Sequence, residues 1–157
     1  KNKRAEIIAI GDELTCGYRL DTNSQWISEQ LTDLGVNVSF HTTVGDELPE
    51  MVAALETAAQ RVEIILLTGG LGPTDDDLTR QAVASMAGRE LEFHPPTLEH
   101  IREIFERRGR EMPERNRRQA CFPAGARIQR CFYPRLSKSS RCLLNEFHVT
   151  DHNSALI

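Results

Sequence analysis

Three short apolar runs rich in β-branched residues alternate with amphipathic helical segments through the first half of the chain, and this alternation restricts the fold more than any other feature. Ala5–Ile10, closed by Gly11, reads as a strand buried on both faces of a parallel sheet, and Val36–Val44 and Val62–Thr68 read similarly. Between them, Thr22–Leu34 places Ile27, Leu31 and Leu34 on one helical face before Gly35, and Pro49–Arg61 does the same with Val52, Leu55 and Ala59. Thr74–Ala87 adds Leu78, Ala82 and Met86 before a glycine stop at Gly88. The order β-α-β-α-β-α implies right-handed crossovers. The expected fold is therefore α/β and doubly wound, a mostly parallel sheet with helices on both faces. Pro95 and Pro96 open a further helix whose Leu98, Ile101 and Phe105 share a face, and Met112–Ala120 reads as a short last helix.

A length of 157 residues suits one domain with a conventional core. No apolar stretch approaches the roughly 20 residues of a membrane-spanning helix, and the run after Lys1-Asn2-Lys3-Arg4 is broken by Glu6, so a cytoplasmic location without membrane contact is expected. Four cysteines lack the density of a disulfide scaffold, which points to reduced thiols. The net charge of −4 conceals a seam: 21 acidic and 11 basic residues precede Arg115, whereas 2 acidic and 8 basic residues follow from there.

In a sheet of this kind ligands gather where strands end and helices begin. Three polar loops lie there: Gly11–Leu14, Gly45–Glu47 and Thr68–Thr79. In the third, Gly69, Gly70 and Gly72 permit close backbone approach beside a helix N-terminus, an arrangement that suits phosphate. The pattern is neither G-x-x-x-x-G-K-[ST] nor G-x-G-x-x-G, and with no lysine in the loop a P-loop is set aside. Asp75, Asp76 and Asp77 would repel a phosphate unless a divalent cation such as Mg²⁺ intervened, with Asp77 or Asp76 joined by Asp12 or Asp46. Thr74-x-x-Asp77 also fits a capping box, which needs no metal. Thr22-x-x-Gln25 admits the same reading, while Asp21 and Asn23 beside it are placed to reach a ligand. Trp26 reads as a packing residue, and His41, His94 and His100 as loop or surface residues.

AEIIAIGDELTCGYRLDTNSQWISEQLTDLGVNV, the VGD of Val44–Asp46, TGGLGPTDDDLT at Thr68–Thr79 and PERNRRQA at Pro113–Ala120 resemble, in order, the N-terminal domain of CinA-type competence/damage-inducible proteins, part of the MoaB/Mog molybdopterin-binding superfamily. The resemblance covers about Ala5 to Ile128 and divides the chain into a domain at 1–128 and a divergent tail at 129–157. It implies a homo-oligomer that binds a nucleotide or pterin phosphate, with molybdopterin a candidate ligand. It also implies Mg²⁺-dependent chemistry at a pyrophosphate, either hydrolysis of a nucleotide such as ADP-ribose or adenylyl transfer to molybdopterin. Carried over residue by residue, Gly69, Gly70, Gly72 and Thr74 cradle phosphate, Asp21 and Asn23 line the pocket, and Asn116 stands one tier behind. Asp77 and Asp76 are the candidate catalytic carboxylates, and Asp12, Asp46 and Asp77 the candidate metal ligands.

The tail departs from the family after Pro123-Ala-Gly-Ala126, having no glycine beyond Gly125 and no N-x-x-G-x-A-P-G turn. Three readings stand open: zinc on Cys131, Cys142, His148 and His152, a basic nucleic-acid arm around Phe132 and Tyr133, or an irregular tail left by a shifted frame or truncation. The zinc spacing lacks a tight cysteine pair and no nucleic-acid module is recognisable, so the irregular tail is the expectation.

Overall fold

The computed structural model describes residues 3–130, 145–151 and 154–156, with side chains through Ile128. The first strand, β1 (Arg4–Ile10), is the centre of the domain: Ala5 to Ile10 are all buried. A short helix, α1 (Asp12–Thr15), follows, and α2 (Thr22–Asp33) leads to β2 (Asn37–Val44). Next come α3 (Leu48–Arg61), β3 (Ile64–Thr68), α4 (Thr79–Met86), β4 (Leu91–Phe93) and α5 (Pro95–Arg107). A 3₁₀ helix at Glu114–Ala120 precedes β5 (Cys121–Pro123), β6 (Arg127–Arg130), β7 (Asn145–Asp151) and β8 (Ser154–Leu156).

The main sheet has the order β2-β1-β3-β8-β7-β6. β1 runs parallel to both β2 and β3, and β3 parallel to β8, while β7 returns antiparallel to β8 and β6 antiparallel to β7. The doubly wound α/β expectation is met. Alternate residues of β1 account for the layers. Ile8 and Ile10 join a core cluster with Met51, Leu55 and Ala58 of α3 and Ala82 and Val83 of α4. Ile7 and Ala9 point to the opposite face, where α2 contacts β1 and β2. β1 leads to β2 on one side, and the chain then crosses to β3 on the other, so the connections diverge at the C-terminal end of β1. That is a topological switch point, where such sheets form a crevice.

Several local expectations are corrected. β2 lies at the edge of the sheet, and each of its side chains is half-buried or exposed, none of them buried. The apolar stripe of α2 is not core: Leu34 is 77% exposed, and Ser24 is the one buried residue of the helix. Thr22 does not cap α2, because the cap is Asp21, whose carboxylate accepts from the Ser24 amide at 2.9 Å. α4 begins at Thr79, not Thr74, which lengthens the preceding loop. The antiparallel pair β4–β5 was missed, being only three residues per strand. The tail contributes β7 and β8 to the main sheet, so its described part is not irregular. Of the zinc set, Cys131, Cys142 and His152 lie outside the described residues, as do Phe132 and Tyr133.

One buried polar group lies within the central strand. Glu6 is fully buried and accepts from Arg61 Nε at 2.8 Å, Arg61 Nη2 at 2.6 Å and Thr42 Oγ1 at 2.6 Å. The Arg61 guanidinium also lies 4.0 Å over the Phe40 ring. Burial pushes the Glu6 carboxyl up, but the hydrogen bonds from Arg61 and Thr42 and the charge of Arg61 more than offset it, leaving Glu6 below its ordinary value. A carboxyl lowered on folding stabilises the protein above its unfolded value, about 4.3, and that contribution is lost as pH falls through the folded value. Arg61→Met should therefore lower the urea midpoint at pH 7, with the gap to the parent protein narrowing below about pH 4 as Glu6 takes up a proton in both. Urea melts across that pH range test this; a gap independent of pH would contradict it.

Candidate functional site

The loops that follow β1, β2 and β3 meet at one end of the parallel strands. Asp12 and Asp46 are locked to each other there: the Asp12 amide donates to Asp46 Oδ2 at 3.0 Å, and the Asp46 amide to Asp12 Oδ1 at 3.0 Å. This leaves one oxygen of each carboxylate free of the exchange. Asn23 reaches the same end, its Nδ2 donating to Thr68 Oγ1 at 2.9 Å. Asp21, as the cap of α2, acts one step further back by fixing the start of the helix that carries Asn23.

The glycine loop is organised by its carbonyls. Thr79, buried at the start of α4, donates through Oγ1 to Gly69 O at 2.8 Å and through its amide to Gly70 O at 3.2 Å. Arg80, 3% exposed, donates through Nη1 to Leu71 O at 2.8 Å and through Nη2 to Gly72 O at 2.9 Å. Gln119 Nε2 adds a second bond to Leu71 O at 3.2 Å, and Asn116 Nδ2 holds Gln119 Oε1 at 2.8 Å. In a trans peptide the N–H points opposite to the carbonyl before it. Drawing in the carbonyls of Gly69 and Gly70 therefore turns the amides of Gly70 and Leu71 outward, and neither donates to a protein acceptor among the described residues.

The glycines are required by this packing. Gly69 and Gly70 have φ of 101° and 61°, and an added Cβ would collide with the Ile10 carbonyl oxygen at Gly69 and with Thr79 Oγ1 at Gly70.

Asp77 takes a different place from the one its position suggested. Its Oδ1 accepts from the Gly72 amide at 2.7 Å, and its Oδ2 from the Thr74 amide at 2.7 Å and the Thr74 hydroxyl. The Thr74–Asp77 pair makes only the return half of a capping box, the Asp77 carboxylate on the Thr74 amide, and does so within a turn five residues before the helix begins. Asp77 and Thr74 thus brace the loop. Among the described residues no three or more His, Cys, Asp or Glu side chains converge as a ligand set, so Asp12, Asp46 and Asp77 do not form one three-carboxylate centre. Asp76 is exposed and lines an open cleft between the loop and the 3₁₀ helix, together with Asp75 and Arg118. Trp26 is half-buried on α2, and His41 is exposed, bonded to Ser28.

Arg80 is the residue that sequence reasoning missed. Burial pulls its guanidinium below its ordinary value, and the charge of Asp77 opposes that pull, yet among the described residues no carboxylate lies within ion-pair distance of it. Arginine keeps its proton in proteins, so a cation stays buried directly behind the loop. The loop itself carries no lysine or arginine before Arg80, and the available signal was that arginine immediately after Thr79.

Comparison with known proteins gives the family of the chain. The family model described as "Probable molybdopterin binding domain" matches residues 6–144. The chain belongs to that family. The match extends past Ile128, where the motif resemblance stops. A "CinA-like protein" of Dictyoglomus turgidum is 46% identical over 125 residues, 80% of this chain but 30% of that protein. The chain thus spans about a third of the length of such a curated relative. The structure of a CinA protein from Thermoplasma acidophilum superposes with a TM-score of 0.80 at 24% identity, covering 99% of this chain and 86% of that one, and so supports the fold. A tungsten cofactor synthesizing protein MoaB from Pyrococcus furiosus gives a TM-score of 0.54 at 26% identity over 66% of this chain and 65% of that one. The bonds of Arg80 to this loop make a definite prediction. Arg80→Met leaves the Gly72 carbonyl without its donor and should lower unfolding free energy by about 1–3 kcal/mol, as read by urea melts. An unfolding free energy unchanged in Arg80→Met would contradict this role.

Proposed function

We propose that the domain binds a small molecule carrying phosphate, a pterin or a nucleotide, with the phosphate on the outward amides of Gly70 and Leu71, and that it hydrolyses a nucleotide pyrophosphate such as ADP-ribose with the help of a divalent metal. The observation that carries the reading is the pair of amides turned out by Thr79, with the buried positive charge of Arg80 behind them. Two backbone donors and a cation complement a phosphate oxygen without lysine.

The residues present fit a particular kind of metal binding. Asp12 and Asp46 each keep one carboxylate oxygen outside their reciprocal bonds. Mg²⁺ is characteristically held by one or two carboxylates together with substrate phosphates, not by an all-protein cage. Such an ion would neutralise charge developing on the pyrophosphate. The chain's own residues supply the rest: the loop orients the phosphate, Asn23 lines the strand end, and Asp76, exposed and with no hydrogen bond to the loop, is the carboxylate available to orient water. Asp77 supports this from inside the loop.

A second reading is a molybdopterin or nucleotide pocket that binds without turnover or transfers an adenylyl group. It is favoured by the engagement of both Asp77 oxygens with the loop, which gives that carboxylate a bracing role. One experiment separates the two: incubation with ADP-ribose and Mg²⁺ or Mn²⁺, following AMP release. Hydrolysis that falls about a hundredfold or more in Asp46→Asn, with phosphate binding retained, supports the hydrolase. Retention of ligand with no AMP under either metal would overturn it in favour of the binding pocket.

A further inference from the structure

The cleft beside the glycine loop has a volume of about 620 Å³, with Thr74, Asp75 and Asp76 on one wall and Arg115, Arg117 and Arg118 of the 3₁₀ helix on the other. The three arginines are not equivalent. Arg117 is stacked 4.6 Å over the Phe93 ring, and Arg115 is exposed. Arg118 alone of the three bonds to the loop: its Nη1 donates to the Thr74 carbonyl at 2.7 Å and to Asp75 Oδ1 at 2.7 Å.

We propose that Arg118 forms a second anion subsite, which takes the second phosphate of a diphosphate-bearing ligand and which Asp75 occupies until that ligand arrives. The proposal rests on the phosphate reading of the glycine loop and names the rest of its ligand. Its physical basis is the inequality of the two bonds. The Thr74 carbonyl belongs to the loop and holds the guanidinium in place. The Asp75 side chain is 96% exposed, so its carboxylate can leave Arg118 for water without breaking any packing. An exposed ion pair of this kind is weakly held. A phosphate brings more charge and three acceptor oxygens to a planar guanidinium that recognises such groups with paired N–H donors, and it should displace the carboxylate.

The loop links this position to the glycine turn. Arg118 holds Thr74 O, and its neighbour Gln119 holds Leu71 O, so the guanidinium is tied to the loop three residues from one of the two outward amides. Three residues span at most roughly 11 Å when extended, and the turn closed by Asp77 shortens that distance. A single phosphate on Gly70 and Leu71 would leave Arg118 with Asp75. A diphosphate can engage both.

Calorimetric titration of the protein with inorganic pyrophosphate and with inorganic orthophosphate tests this. The parent protein should prefer pyrophosphate. Asp75→Asn, a change at an exposed side chain, should tighten pyrophosphate about tenfold and orthophosphate far less. Glu114→Gln makes the same charge change in the same cleft without freeing Arg118, and it should tighten pyrophosphate less than about twofold. Arg118→Met should abolish the preference for pyrophosphate and cancel the effect of Asp75→Asn, with orthophosphate affinity retained as the sign of an intact loop. If Glu114→Gln matches Asp75→Asn, or if the gain from Asp75→Asn survives without Arg118, the subsite is overturned. Equal affinity for the two anions with orthophosphate still bound defeats the subsite alone. Failure of the parent protein to bind orthophosphate defeats the glycine-loop reading itself.

Discussion

The inward pull on four consecutive carbonyls, Gly69 to Gly72, by Thr79 and Arg80 is the interaction on which the rest of the site depends. A loop of three glycines has too much conformational freedom to present donors on its own. Here the hydroxyl and amide of Thr79 and the fork of Arg80 fix it from behind, and Asp77 fixes it from within by accepting from Gly72 and Thr74. The donors that remain follow from peptide geometry. The cost is a guanidinium taken out of water and compensated by carbonyl oxygens in place of a carboxylate, an arrangement that an anion on the outer side of the loop would stabilise.

The sheet supplies the place for this loop. Because β1 lies between β2 and β3, the chain turns in opposite directions after β1 and β3, and the crevice opens where Asp12, Asp46 and Asn23 converge. The mutual amide bonds of Asp12 and Asp46 hold two like charges side by side, each stabilised by the other residue's backbone, and join the ends of β1 and β2. The 3₁₀ helix closes the other side through Gln119 and Arg118, with Asn116 aligning Gln119. Asn116 therefore reaches the loop through Gln119.

The parts of the fold legible in the sequence are those where burial imposes a period. β1 shows its buried run directly and α3 its boundaries to within one residue. The buried face of α3 is nevertheless Met51, Leu55 and Ala58, one position round from the expected Val52, Leu55 and Ala59, of which Val52 and Ala59 are half-buried. On α5 the expected Leu98 and Ile101 are buried. β2 and α2 were misjudged for a common reason: an apolar pattern reports what can be buried, whereas an edge strand and its covering helix lack the neighbour that would bury it. The strands after Ile128 were not legible, since pairing partners, not local pattern, make them strands. In the site, the glycines and Asn23 were visible from residue type and position. Arg80 was not, because its role depends on a loop five residues longer than the capping pattern at Thr74 implied, which brings its side chain back beneath Leu71 and Gly72.

The central claim is that the loop offers the Gly70 and Leu71 amides to an anion while those of Gly72 and Thr74 are already held by Asp77. Amide nitrogen and proton shifts recorded during titration with inorganic phosphate measure this residue by residue. The account predicts that Gly70 and Leu71 move most, with downfield proton shifts as they acquire an acceptor, and that Gly72 and Thr74 move little. Largest shifts at Gly72 and Thr74, or saturable binding that leaves Gly70 and Leu71 unmoved, would contradict it.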